Sequence, residues 1–187
     1  PTSFEQLYAD PMFDQLFDLP AHPLLIHAPI VLLPIAATLT IVLALKPAWR
    51  RRAGWFPFSG VFVVTVLLFG AKESGESFTN AFDSAFGEGA IDIDRHEELG
   101  NMTFVLTLVW LAAMFALTMW EAVQRRDATD ANGATEAALT PSPYVSYGLS
   151  ALASLFAVLA TIWLIRTGHE GAEVVWSPVV PQLFPEG

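Results

Sequence analysis

The sequence predicts an all-α protein, an integral membrane bundle of four transmembrane helices. Of its 187 residues 53% are hydrophobic and only 15% are charged, whereas a soluble domain carries about a quarter charged residues. A helix needs about 20 apolar residues to cross the roughly 30 Å hydrocarbon core of a bilayer. Four segments of the chain approach or exceed that length with almost no charge, and this count sets the predicted number of helices.

The four predicted helices divide the chain into three parts. An N-terminal segment is expected at residues 1–21, a transmembrane domain at 22–176 and a C-terminal tail at 177–187. Within the domain, the helices are predicted at about 23–45, 55–71, 100–120 and 144–165.

Each helix has a distinguishing pattern. Pro29 and Pro34 should bend the first. The second is short, but phenylalanines recur every four residues just after it, at Phe78, Phe82 and Phe86. That spacing indicates either a continuation of the helix or a separate helix on the membrane surface. The third is uncharged, and so is the fourth, whose alanines and glycine predict close packing against another helix, in this chain or in a partner.

Basic residues predict the orientation in the membrane. Six of the nine lie in the connections after the first and third helices: Lys46, Arg50, Arg51, Arg52, Arg125 and Arg126. The other side has three basic residues and fifteen of the nineteen acidic ones. By the positive-inside rule the Arg-rich connections are cytoplasmic. We therefore expect a multi-pass plasma-membrane protein with both termini extracytoplasmic.

Composition also excludes several classes of function. The formal net charge of −10 argues against nucleic acid as a partner, because a phosphate backbone requires a basic surface. The absence of cysteine excludes disulfides, iron–sulfur clusters and thiol chemistry. The sequence contains no GxSxG elbow, glycine-rich phosphate loop or HExxH pair, so no catalytic residue is assigned and catalysis by the chain itself is not expected.

All four histidines fall at the predicted outer ends of helices. They are His22, His27, His96 and His169. Carboxylates accompany two of them: Glu98 lies beside His96, and Glu173 follows His169 at the i+4 position. Carboxylates at such spacings orient imidazoles at metal sites. The four histidines, with Glu98 and Glu173, are therefore the candidate metal ligands.

Three interpretations of the histidines remain open. Imidazoles and carboxylates suit zinc, copper or iron, and the spacing does not distinguish among them. Two of the imidazoles could instead ligate haem b, for which only His27 is deep enough in a predicted helix. The third interpretation is structural, with interfacial histidines that cap helices and bond to loops.

Two motifs resemble those of the DUF2231 family of small predicted membrane proteins. HPLLIHAPI at residues 22–30 is similar to the family's HPLxVHFPI opening, and GHEGAEVVW at 168–176 to its closing GHxGGxLVY. His96 fits the family's histidine before the third helix. Ala28 departs from the usual Phe, and Glu173 brings an extra carboxylate close to His169. The resemblance implies a four-helix fold and a role for the histidines rather than a particular reaction.

The size and acidity of the chain also resemble the small accessory membrane subunit found with actinobacterial cytochrome bcc–aa3 supercomplexes. This resemblance implies a non-catalytic accessory subunit of a respiratory electron-transfer supercomplex, with the bilayer and the larger bcc and aa3 subunits as partners. The alternative is a histidine-based metal- or haem-binding membrane redox protein. Transport is disfavoured because no charged residue lies near mid-membrane.

Overall fold

Helices account for nearly all of the computed structural model, which describes residues 15–17, 19–87, 92–130 and 143–177. Over these residues the helices are α1 (Ala21–Leu25), α2 (His27–Leu45), α3 (Pro47–Ala53), α4 (Phe56–Phe86), α5 (Asp94–Asp130) and α6 (Pro143–Trp176). A minimal antiparallel pairing of β1 (Gln15–Leu16) with β2 (Leu19–Pro20) precedes them. The all-α class is confirmed. Most of the predicted N-terminal segment, the C-terminal tail and the connector 131–142 lie outside the described residues.

The first predicted helix consists of α1 and α2, with a break at Ile26. Pro29 has no backbone N–H to donate to the carbonyl of Leu25, and its ring crowds that carbonyl. The regular backbone hydrogen bonding is therefore interrupted at Pro29. It resumes one residue later, where the backbone N–H of Ile30 donates to the carbonyl of Ile26 at 3.2 Å. Pro34 lies inside α2. The predicted distortion is therefore found at Pro29, whereas the helix continues through Pro34.

The second predicted helix continues without a break through the phenylalanine repeat as α4. Phe78, Phe82 and Phe86 lie on one side of this helix, with ring centroids 6.2 and 4.5 Å apart in succession. Gly87 ends the helix at a φ of +99° and donates to the carbonyl of Asp83 at 2.8 Å. A positive φ is easy only for glycine, which explains the stop. The repeat is therefore a continuation of the helix.

Each of the three later long helices exceeds its predicted apolar segment. At about 1.5 Å per residue, the 31 residues of α4, 37 of α5 and 34 of α6 are much longer than the roughly 30 Å hydrocarbon core. Hydropathy detects only the lipid-compatible stretch of a helix. The polar ends of these helices consequently extend beyond that core.

In the part of the chain that the structure describes, four helices are long and apolar enough to cross a membrane. They are Ala21–Leu45, Phe56–Phe86, Asp94–Arg126 and Tyr144–Trp176. Only 28–39% of the most apolar window of each is buried inside the protein. Such extensive exposure of apolar side chains would be unfavourable in water. The chain is a multi-pass membrane protein, and these surfaces face lipid.

The described residues fall into two compact units, each with segments of all four spans. We call the first the histidine unit; it takes the described parts of 1–31, 66–104 and 162–187. All four histidines belong to it. Its buried side chains are mostly small or polar: Ala21, Pro29, Leu68, Ala71, Ser74, Leu99 and Thr103. Small side chains allow helix backbones to approach closely.

The second unit, which we call the arginine unit, takes the described parts of 32–65 and 105–161. Trp110 and Leu33 are completely buried in it, as are three alanines of α6, Ala153, Ala157 and Ala160. These alanines recur every three or four residues and form one face of the helix. Three of the small residues predicted to pack closely are thus buried within this chain, whereas Gly148 and Ala151 of the same helix are exposed.

Candidate functional site

His22 is held by the backbone and a hydroxyl group of α4. Its Nδ1 lies 3.0 Å from the carbonyl oxygen of Ala71 and 3.2 Å from Oγ of Ser74. The Ser74 hydroxyl donates to the same carbonyl at 2.8 Å. A carbonyl can only accept, so Nδ1 of His22 must carry the hydrogen. In the neutral ring, Nε2 is then the nitrogen with a lone pair.

His96 is held in the same way by α6. Its Nδ1 lies 2.9 Å from the carbonyl oxygen of Thr167. The carbonyl again requires Nδ1 to donate, which leaves the lone pair on Nε2. Thr167 is itself fixed, because its hydroxyl donates to the carbonyl of Trp163 at 2.9 Å and lies 3.1 Å from Oγ1 of Thr103. The ring orientation therefore depends on packing between α5 and α6.

The two rings lie together within the histidine unit. The centroids of His22 and His96 are 6.3 Å apart and their planes are nearly perpendicular, at 89°. Neither Nε2 has a hydrogen-bond partner among the described residues. When both rings are neutral, the carbonyls fix their tautomers and each ring presents the lone pair of Nε2, as metal-ligating histidines do when a carbonyl holds their other nitrogen.

Two glycines bring helix backbone directly against these rings. A Cβ added at Gly75 would lie 3.2 Å from Cε1 of His22, and one added at Gly171 would lie 2.9 Å from Cε1 of His96. Contacts below about 3.0 Å are essentially absent between real Cβ atoms and their neighbours. Glycine is therefore required at 171 for His96 to keep its position, whereas a side chain at 75 would need His22 to shift by a few tenths of an ångström.

The structure places the other two histidines differently. Nδ1 of His27 lies 2.5 Å from the carbonyl of Pro23 in its own helical segment. His169 is exposed, with Nε2 3.6 Å from Oε1 of Glu173, and Glu98 is exposed as well. In the described ranges, no three His, Cys, Asp or Glu side chains are grouped to hold a metal ion. Of the six candidate ligands, His22 and His96 are the ones that the structure describes as a pair.

The residues that position this pair were not predicted as a group. Ala71 and Thr167 act through backbone carbonyls, which have no sequence signature. Gly171 does lie within the closing GHEGAEVVW motif, and its glycine could have indicated a close backbone approach. Ser74 and Gly75 lie in a polar stretch of the sequence, and such a stretch after an apolar run usually indicates only the end of a helix.

A separate buried polar group lies in the arginine unit. Arg50 of α3 donates from Nε to Oε1 of Glu121 at 2.7 Å and from Nη1 to Oγ of Ser150 at 2.8 Å. Arg50 is 6% exposed and Glu121 8%. Ser150 also donates to the carbonyl of Ser146 at 2.6 Å. This network joins α3, α5 and α6 and was missed because the positive-inside rule treats arginines in connections as solvated.

Fold and site together define a small all-helical membrane protein with a buried ion pair and a backbone-anchored pair of histidines. A family model described as "Predicted membrane protein (DUF2231)" matches residues 18–182. The chain belongs to the DUF2231 family, as its two histidine motifs predicted. No curated protein and no solved structure matches the chain.

Proposed function

We propose that the chain is a histidine-based metal- or haem-binding membrane redox protein in which His22 and His96 are the ligands. The observation that carries this proposal is that the Nδ1 atoms of His22 and His96 both donate to backbone carbonyls of neighbouring helices. That arrangement leaves each Nε2 as a ligand atom, and transition metals bind neutral imidazole there. The proposal replaces the deeper His27 with His22 as the partner of His96.

The separation of the rings supports a metal shared between them. With metal–nitrogen bonds of about 2.0–2.1 Å, each ring centroid lies about 3.2 Å from a bound ion. Imidazoles on opposite sides of one ion then have centroids about 6.4 Å apart, and imidazoles at a tetrahedral angle about 5.2 Å. The observed 6.3 Å between the ring centroids of His22 and His96 falls in the range that one shared metal ion would allow, so these two residues would hold the group. A bound iron or copper would supply one-electron chemistry.

Metal and haem content of the purified chain test this proposal. We expect a Soret band or a stoichiometric transition metal, reduced more than about tenfold in His22→Ala and His96→Ala. His27→Ala and His169→Ala are matched controls from the same unit and should retain the wild-type content. A wild-type chain with neither haem nor metal overturns the proposal, as does equal content in all four variants.

We also propose that the chain is an accessory subunit of a respiratory supercomplex of the cytochrome bcc–aa3 type in the plasma membrane. The observation that favours this role is the phenylalanine repeat of α4 (Phe78, Phe82 and Phe86), which lies beyond the apolar stretch of that helix. Phe86 remains 70% exposed there, although such a ring at a polar helix end is better placed against protein. The Arg-rich connections are cytoplasmic in this proposal, with both termini outside.

Co-purification in mild detergent tests the accessory role. Tagged wild-type chain should retain bcc and aa3 subunits identified by mass spectrometry, whereas Phe86→Ser should retain much less. Phe62→Ser, which changes an exposed ring in the apolar stretch of the same helix, is the control. A chain that migrates alone contradicts the proposal. A reporter enzyme fused after residue 187 should be active only outside the cytoplasm if the proposed orientation holds.

A further inference from the structure

The three consecutive arginines of α3 have different environments. Arg50 points into the protein, where Glu121 and Ser150 hold it. Successive residues of a helix are separated by about 100° around its axis, so an inward Arg50 directs its neighbours elsewhere. Arg51 and Arg52 are both exposed. The buried network thus orients α3 with two exposed guanidinium groups on its surface.

The end of α5 brings further positive charge to the same place. Nη1 of Arg125 donates to the backbone carbonyl of Arg51 at 2.9 Å, and Arg126 and Lys46 are exposed as well. The acid described near these residues, Glu121, is buried and paired with Arg50. The side chains of Asp127 and Asp130 lie outside the described part. We call Arg51 and Arg52 the arginine cluster.

Apolar and aromatic side chains of the same unit place this cluster at the membrane surface. Trp49 and Trp55 are 58% and 43% exposed, and tryptophan is enriched at the headgroup level of bilayers. Leu45 and Phe56, at the adjoining ends of α2 and α4, are more than 70% exposed. A molecule bound by the cluster would therefore have apolar surface immediately beside it.

We propose that the arginine cluster binds the phosphate of an anionic phospholipid, whose acyl chains lie along the exposed residues at the ends of α2 and α4. Guanidinium groups pair with phosphate oxygens through two parallel hydrogen bonds, and arginine is favoured for this geometry. The adjacent apolar surface favours a lipid over free phosphate. The network of Arg50 contributes by holding α3 against α5 and α6. This inference does not depend on the proposed redox function.

Native mass spectrometry of the delipidated chain, titrated with defined lipids in detergent, tests the proposal. Phosphatidylglycerol should bind in preference to phosphatidylcholine, and inorganic phosphate should not displace it at equal concentration. Each basic residue near an anionic surface contributes about fivefold, so Arg51→Gln/Arg52→Gln should weaken phosphatidylglycerol binding roughly 30-fold. Arg51→Lys/Arg52→Lys should recover part of the affinity, because charge returns without the paired hydrogen bonds.

The matched control is Lys72→Gln/Arg166→Gln, which removes the same charge from the histidine unit. It should bind phosphatidylglycerol as the wild type does. Equal binding of both lipids overturns the proposal, as does unchanged binding by Arg51→Gln/Arg52→Gln. Displacement by inorganic phosphate would instead identify a free-anion site and contradict the lipid assignment.

Discussion

Replacing Arg50 with methionine should lower the free energy of unfolding by about 3–5 kcal/mol. The change leaves the carboxylate of Glu121 buried without its partner and removes the donor to Ser150. Removing one member of a buried ion pair costs more than the pair itself contributes, because an isolated charge in a low dielectric is very unfavourable. Thermal unfolding of the purified protein in detergent, followed by circular dichroism, measures the effect.

Two variants make this result specific. Arg51→Met changes the exposed neighbour and should alter stability by no more than about 0.5 kcal/mol. Arg50→Met with Glu121→Leu removes both charges and should restore most of the loss, because a well-packed apolar pair often replaces a buried ion pair without cost. If Arg50→Met melts at the temperature of Arg51→Met, the ion pair does not stabilise the fold.

Gly171→Ala should displace the ring of His96. The added methyl group would lie 2.9 Å from Cε1 and 3.0 Å from Nδ1, so the ring must move and its hydrogen bond to Thr167 at 2.9 Å is lost. Under the proposed function, loss of such an orienting bond lowers metal or haem retention by about 10- to 100-fold. Cofactor content and the melting temperature of the same samples measure the two consequences.

Gly168→Ala is the matched control on the same helix. A Cβ at that position meets nothing within 4 Å, so the variant should keep its cofactor. It should also gain helix stability, up to about 1 kcal/mol, because alanine is the better helix former. A Gly171→Ala protein that melts and binds like Gly168→Ala would show that backbone contact does not constrain His96.

Helix number and approximate position could be predicted from the sequence because lipid solubility is a local property. The first predicted helix, 23–45, lies within Ala21–Leu45, and each of the others overlaps a span. The sequence left open where the helix predicted at 55–71 ends, since Lys72 and Glu73 end the apolar run without ending the helix. Backbone hydrogen bonding continues through polar residues until Gly87 adopts a positive φ.

The candidate site was predicted in part. The motifs singled out all four histidines, but their spacing favoured carboxylates as the groups that orient them. In the structure, the backbone carbonyls of Ala71 and Thr167 orient the rings of His22 and His96 instead. Carbonyls are present at every residue, so their role depends on which helices lie side by side. No local pattern could have selected them.

The sequence by itself determined that this is a four-span helical membrane protein of the DUF2231 family, with its histidines separate from its two arginine-rich connections. Composition and hydropathy suffice for this, since each span must pair its own backbone N–H and C=O groups and present apolar side chains to lipid. Only the tertiary structure decided that His22 lies beside His96, and that Arg50 is buried against Glu121 while Arg51 remains exposed. These outcomes depend on contacts between residues more than 70 positions apart, which helix packing alone brings together.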